Sequence, residues 1–272
     1  MQISLEGKVA IVTGVSGDGQ VGQAVAKALA ENGAQLAICA RTQSNVEARG
    51  KELREAGARV FAMAGSLTDE GQVRRLIDDT VSEYGRIDVL VNLAGGLSRY
   101  KSAVEHSLDD WRAEVDNNLL SAFLTSRAAF PHLQAAGDGV IINFARAGQP
   151  QANMVAYNCA KAGIEALTRT LALEGRDLGI RVNAIAPGLV DTASNIASDE
   201  TERSEALDQA RRYRRDRALP RLASRLRHHR PSHFGYRLGT MTRWRAFFRI
   251  VVRSISRSSE TSLRQERFRA TR

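Results

Sequence analysis

From residue 7 onward the chain alternates short, mostly apolar runs with amphipathic stretches, and few architectures accommodate that order. The apolar runs are VAIVTG (9–14), LAICA (36–40), RVFAMAG (59–65), DVLVNLAGG (88–96), GVIINFA (139–145) and IRVNAIAPG (180–188). VAIVTG reads as a buried strand closed by glycine, and the other runs as further strands. Between them, VGQAVAKALAENGA, NVEARGKELREAGA and EGQVRRLIDDTVSEYG carry apolar residues at helical spacing. In the last, Val73, Leu76, Ile77 and Val81 share one face. Further helices are expected around Trp111–His132 and Tyr157–Asp177. Strands regularly separated by helices predict an α/β fold, a doubly wound parallel sheet with helices on both faces.

A chain of 272 residues can bury the core of one large domain, or of one domain plus a tail. No run approaches the ~18 apolar residues of a membrane span. The start, MQISLEGKVAIVTG, lacks a basic region followed by a cleavable apolar core, so a cytoplasmic location is expected. Cys39 and Cys159 show neither metal-ligand spacing nor a disulfide framework, which fits a reduced compartment.

The net charge of +9 hides a division. Residues 1–200 carry 19 Lys and Arg against 24 Asp and Glu, a net of −5. Residues 201–272 carry 20 Arg, no Lys and 6 acids, a net of +14. Glycine falls from 20 in the first 200 residues to 2 in the last 72. A mildly acidic body is therefore joined to a strongly basic end, and the boundary is placed near Asn195. The expected organisation is a nucleotide-binding and catalytic unit over 1–195 and a basic segment over 196–272.

The first strand and helix flank TGVSGDGQVG, with Gly14, Gly17, Gly19 and Gly22. Such a turn lets backbone N–H groups and a helix N-terminus approach a pyrophosphate. The second strand ends at Ala40-Arg41, where an NAD site would present a carboxylate to the ribose hydroxyls. A guanidinium there suits a 2′-phosphate, so NADP(H) is expected in preference to NAD(H). A solvated surface arginine is the plainer alternative.

With these motifs in order, the chain resembles the short-chain dehydrogenase/reductase family, and within it the 3-oxoacyl-carrier-protein reductases. The resemblance rests on the early glycine turn, Asn92-Leu93-Ala94-Gly95, and Trp111 seven residues before Asn118-Leu119. It continues through Tyr157-x-x-x-Lys161 and Pro187-Gly188-Leu189-Val190-Asp191-Thr192, covering about residues 5–194. It implies a cofactor lying along Gly14, Ser16 and Gly22, with Arg41 near the adenosine phosphate and Leu67 by the adenine. Asn92, Ala94 and Gly95 would flank the adenosine ribose and neighbouring groups. Pro187, Gly188, Val190 and Thr192 would flank the nicotinamide. The turn between Gly14 and Gly22 is two residues longer than the family's usual form, which leaves the phosphate contacts within Ser16–Val21 open.

Tyr157 and Lys161 stand four apart on an expected helix, so both emerge on one face. In the chemistry the resemblance implies, Tyr157 donates a proton to a carbonyl oxygen while the nicotinamide delivers hydride to carbon. Lys161 and the positive charge of the oxidised nicotinamide would lower the phenol's pKa, Lys161 would also hold the ribose, and Asn118 would anchor a relaying water. The family's catalytic serine has no counterpart, for no Ser or Thr occurs between Ser126 and Thr168. Ala145 or Arg146 takes its place. The expected activity is oxidoreduction of a ketone or secondary alcohol, weakened by that loss. The alternative is a nucleotide-binding protein without efficient catalysis.

The Arg-rich end resembles nothing in the family's usual ending. Three readings apply: an out-of-frame translation of GC-rich DNA, a cationic helix on anionic membrane, and a basic arm on nucleic acid. The first is preferred, because glycine becomes scarce and lysine disappears. Apart from the small-molecule substrate, a homo-oligomer is the partner the resemblance suggests.

Overall fold

A computed structural model describes residues 4–187. The expectations for the basic segment, for the boundary near Asn195 and for Gly188, Val190 and Thr192 lie outside these residues.

Six strands form one parallel sheet: β1 (Val9–Thr13), β2 (Gln35–Ala40), β3 (Val60–Ala64), β4 (Val89–Asn92), β5 (Gly139–Phe144) and β6 (Ile180–Ile185). Their order is β3-β2-β1-β4-β5-β6. The helices are α1 (Val21–Glu31), α2 (Gln43–Glu55), α3 (Glu70–Tyr84), α4 (Leu108–Val115), α5 (Ser121–Ala136) and α6 (Val155–Gly175). Winding runs outward from β1 to β3, then restarts at β4 and runs the other way. The reversal between β1 and β4 opens a crevice at the strands' carboxyl ends, where such sheets take their ligands.

Strand residues point alternately to two cores, which is why β1, β2, β4 and β5 are mostly apolar, whereas β6, outermost among the described strands on its side, exposes Asn183 and Ala184. Ala10, Val12, Leu36, Ile38, Val89, Val91, Val140 and Ile142 pack with Val25 and Leu29 of α1 and Val46 and Leu53 of α2. Ile11, Ala37, Cys39, Leu90 and Ile141 face the other way, onto Val73, Leu76 and Ile77 of α3 and Leu124 and Leu133 of α5. Cys39 is fully buried there, and burial pushes its thiol up to about 12, so it behaves as an apolar residue.

Helix ends follow local chemistry. The side chain of Asp69 caps α3 by accepting from the Gln72 N–H, and the helix stops at Gly85, with φ of 78°. Ser107 and Asp110 form a reciprocal capping box that starts α4.

The single helix expected around Trp111–His132 is in fact interrupted. Asp116–Leu120 is a π-helical turn between α4 and α5. The cause is Asn118, whose Nδ2 donates to the Glu114 carbonyl at 2.9 Å and so occupies a helical acceptor. Among the described residues β6 is the outer strand beyond β5, paired with it from Gly139↔Ile180 to Phe144↔Ile185. No helix among them is long and apolar enough to cross a membrane.

Candidate active site

The glycine turn sits directly above the crevice. Gly14 has φ of +76°, and a Cβ on it would lie 2.9 Å from the backbone of Ala94. A Cβ on Gly22 would lie 2.3 Å from the Gly14 carbonyl oxygen. Both positions therefore require glycine for close approach, and Gly14 for its conformation as well. Thr13, buried at the end of β1, ties the turn to the next crossing. Its Oγ1 donates to the Val91 carbonyl and accepts from the N–H groups of Leu93 (2.9 Å) and Ala94 (3.0 Å).

The N-cap of α1, Gln20, makes no side-chain cap, and no acid occupies the first turn. The helix's first turn therefore brings no carboxylate of its own to its positive end. The two-residue extension is anchored to α2: Asp18 pairs with Arg49 at 3.2 Å, and Gln23 bonds both the Gly19 N–H and Glu52. Ser16 Oγ accepts from Asn45 Nδ2 at 3.2 Å. Arg41 is exposed just beyond β2, beside an α2 start that likewise lacks a side-chain cap and an acid. Leu67 is buried after β3.

Asn92 closes β4 inside the protein. Its amide donates to Asn143 Oδ1 and Ser126 Oγ at 2.9 Å each, and its Oδ1 accepts from Thr125. Both ends of the side chain are committed to buried partners, so it shapes the Leu93–Gly95 strand exit from within. Gly95, with φ of +129°, passes so close to Asn118 that a Cβ would lie 2.6 Å from its Oδ1. Asn118 in turn accepts from the Gly96 N–H at 2.9 Å and donates to the Gly96 carbonyl at 3.0 Å. The π-helical turn and the Gly95-Gly96 segment are thereby locked together.

Tyr157 and Lys161 lie one turn apart on α6, with the ammonium 5.7 Å from the centre of the Tyr157 ring. Lys161 is buried, and its Nζ donates to the Phe144 carbonyl at 2.9 Å. Burial lowers its pKa to about 8, partly opposed by the negative charge of Glu114. Burial also raises the Tyr157 phenol above its ordinary value; Arg146 opposes that shift and Glu114 adds to it. In the chain alone, desolvation outweighs the positive charge of Arg146; the lowering expected from the sequence also rests on the oxidised nicotinamide.

Neither residue at the missing-serine position offers a hydroxyl. Ala145 is buried against Ala122 and Ile164. Arg146 is half-buried, and its Nη1 donates to the Gln149 carbonyl at 2.9 Å. The flanking hydroxyls are used elsewhere: Ser126 bonds Asn92, and Thr168 bonds Asn143 and the Ile164 carbonyl. Sequence reading placed Thr13 in the glycine turn without its tie to Leu93 and Ala94, and missed Glu114. Glu114 is fully buried, an outcome that an acid in an amphipathic stretch does not advertise.

The model of the short chain dehydrogenase family matches residues 8–203. The chain belongs to that family. This dehydrogenase is 38% identical over 191 residues to an uncharacterized oxidoreductase of Thermotoga maritima, covering 70% of this chain and 73% of that protein. It is 32% identical over 210 residues to a 3-oxoacyl-[acyl-carrier-protein] reductase of the same organism, with 75% and 83% covered. A metagenomic short-chain oxidoreductase solved in complex with NADP superposes with a TM-score of 0.64 at 32% identity, covering 68% of this chain and 84% of that one. The protein is accordingly an NAD(P)-dependent oxidoreductase acting on small molecules.

Proposed function

We propose that this dehydrogenase exchanges hydride between NADP(H) and a ketone or secondary alcohol, with Tyr157 as proton donor and acceptor. The observation that carries the reading is Lys161. It is a buried ammonium anchored to Phe144 beneath the Tyr157 ring, at the carboxyl end of the sheet and beside the crevice. Among the described residues no carboxylate pairs with Lys161, and a buried lysine of that kind is expensive to maintain, which argues for a chemical role.

The cradle fits a phosphorylated dinucleotide. Gly14, Ser16 and Gly22 bring backbone close to the uncapped start of α1, and Arg41 is an exposed guanidinium where a carboxylate would repel a 2′-phosphate. Leu67 would face the adenine; Ala94 and Gly95, shaped by Asn92, would flank the ribose. Pro187, Gly188, Val190 and Thr192 would border the nicotinamide. NADP(H), when bound, supplies or accepts the hydride. Tyr157 delivers the proton to the carbonyl oxygen, Lys161 keeps the phenol's surroundings positive, and Asn118 holds the chain around the relay. In this reading residues 1–195 form the catalytic unit in a cytoplasmic protein.

Absence of the serine hydroxyl makes the expected turnover slow, because removing one such donor costs ~10²–10³ in rate. The same absence supports a second reading, binding of NADP(H) without efficient catalysis. Fluorescence titration with NADPH and NADH tests the cofactor assignment. Tighter NADPH binding that reverses in Arg41→Glu supports it; equal binding of both cofactors contradicts it.

A further inference from the structure

Glu114 projects from α4 into the protein at 0% exposure, yet it forms no salt bridge among the described residues. Its neighbours are all donors. The Ser98 N–H lies 3.2 and 3.1 Å from the two carboxylate oxygens, the Ser98 hydroxyl donates to Oε2 at 2.6 Å, and Asn118 Nδ2 approaches Oε1 at 3.4 Å. That is the partner set of an ionised carboxylate. An uncompensated buried anion would be costly, so its charge is balanced from further away. α4 packs against α6, the helix that carries Lys161, and the negative charge of Glu114 partly opposes the effect of burial on that ammonium. The other acid of α4 turned toward the same loop, Asp110, is taken up by Arg99 and Lys101. Facing Tyr157 are Arg146, from the loop after β5, and Glu114 itself.

We propose that Glu114 is a positioning residue for the catalytic pair: its buried carboxylate fixes Asn118 and the Ser98 loop, and supplies the negative charge opposite Lys161. The proposal rests on Tyr157 and Lys161 being catalytic, but it makes a prediction that needs no turnover. Where the family's serine is missing, this anion leaves the site with a balanced pair of charges, so that the ammonium persists close to neutral pH. Ser98 is exposed, and its hydrogen bond to Glu114 connects the buried charge to the surface.

Competitive acetylation of the full chain by acetic anhydride across a pH series, read peptide by peptide, gives the pH at which half of Lys161 has lost its proton. The wild-type midpoint is expected at about 8. Glu114→Gln should move it about one pH unit lower, since an opposite charge is lost while the shape is kept. Glu114→Leu should do the same, and Ser98→Ala, which keeps the charge, should leave the midpoint in place. The alkaline limb of carbonyl reduction should fall with Glu114→Gln, with kcat affected more than the KM for NADPH. An unchanged or raised Lys161 midpoint in folded Glu114→Gln and Glu114→Leu overturns the proposal, as does a Ser98→Ala shift as large as theirs. Lack of wild-type turnover would instead count against the catalytic role of Tyr157 and Lys161, while the acetylation midpoints would still decide whether Glu114 acts on the ammonium.

Discussion

The Nζ of Lys161 donates to the carbonyl oxygen of Phe144 at 2.9 Å, fastening α6 to the last residue of β5. A single hydrogen bond thus fixes the ammonium in depth and direction relative to the Tyr157 ring. Replacing Lys161 by Met fills the same volume without the charge. The variant should fold, as checked by circular dichroism, and should lose ~10²–10⁴ in kcat, as expected when a group serving acid–base chemistry is removed.

Burial of Lys161 also makes stability depend on pH. Its pKa is about 8 in the folded chain against an ordinary value of 10.5, so between these limits the unfolded chain binds the extra proton. Stability from this group therefore rises with pH across that window and is lowest below about 8, where the buried ammonium must be carried. Urea midpoints of the cofactor-free chain should show this rise, and Lys161→Met should flatten it.

Gly95 and Gly96 both have positive φ, +129° and +150°, yet only Gly95 faces an obstacle. Gly95→Ala brings a methyl 2.6 Å from Asn118 Oδ1, whereas Gly96→Ala meets nothing within 4 Å. Both should destabilise the fold by about 1–3 kcal/mol for backbone strain. Gly95→Ala should cost more, and it alone should disturb Asn118 and depress turnover. Thermal unfolding and steady-state rates of the two variants check the difference.

Restoring the lost hydroxyl should raise kcat. Ala145 is buried against Ala122 and Ile164, while the charge of Arg146 acts on Tyr157. Arg146→Ser is therefore expected to gain about ten-fold or more, and Ala145→Ser little, on a scale set by the worth of one polarising donor. Rates of both variants on the same carbonyl decide it, and no gain from either would remove the missing hydroxyl as the cause of slow turnover.

Much of this was legible in the sequence because two physical rules wrote it there. Strands buried on both faces must be mostly apolar, which made β1, β2, β4 and β5 visible as short runs. Glycines at 14, 22 and 95 are demanded by contacts of under 3 Å, so they stand out as motifs. Long-range polar bonding was not legible. Nothing around Thr13 signals that it holds Leu93 and Ala94, which lie 80 and 81 residues away, and nothing around Glu114 signals burial. The π-helical turn was equally hidden, since it depends on where the Asn118 side chain finds its acceptor. Asn92 carried a recognisable motif but proved to act inward, through Asn143, Ser126 and Thr125.

Proton transfer by Tyr157, coupled to hydride transfer with NADP(H), is the central claim. Its most direct test is oxidation of NADPH by the full chain over a panel of ketones, with Tyr157→Phe alongside. Slow, saturable turnover is predicted on at least one ketone, reduced ~10²-fold or more in Tyr157→Phe while NADPH binding is kept. Saturable NADPH binding with no turnover on any ketone, or turnover unchanged in Tyr157→Phe, would contradict it.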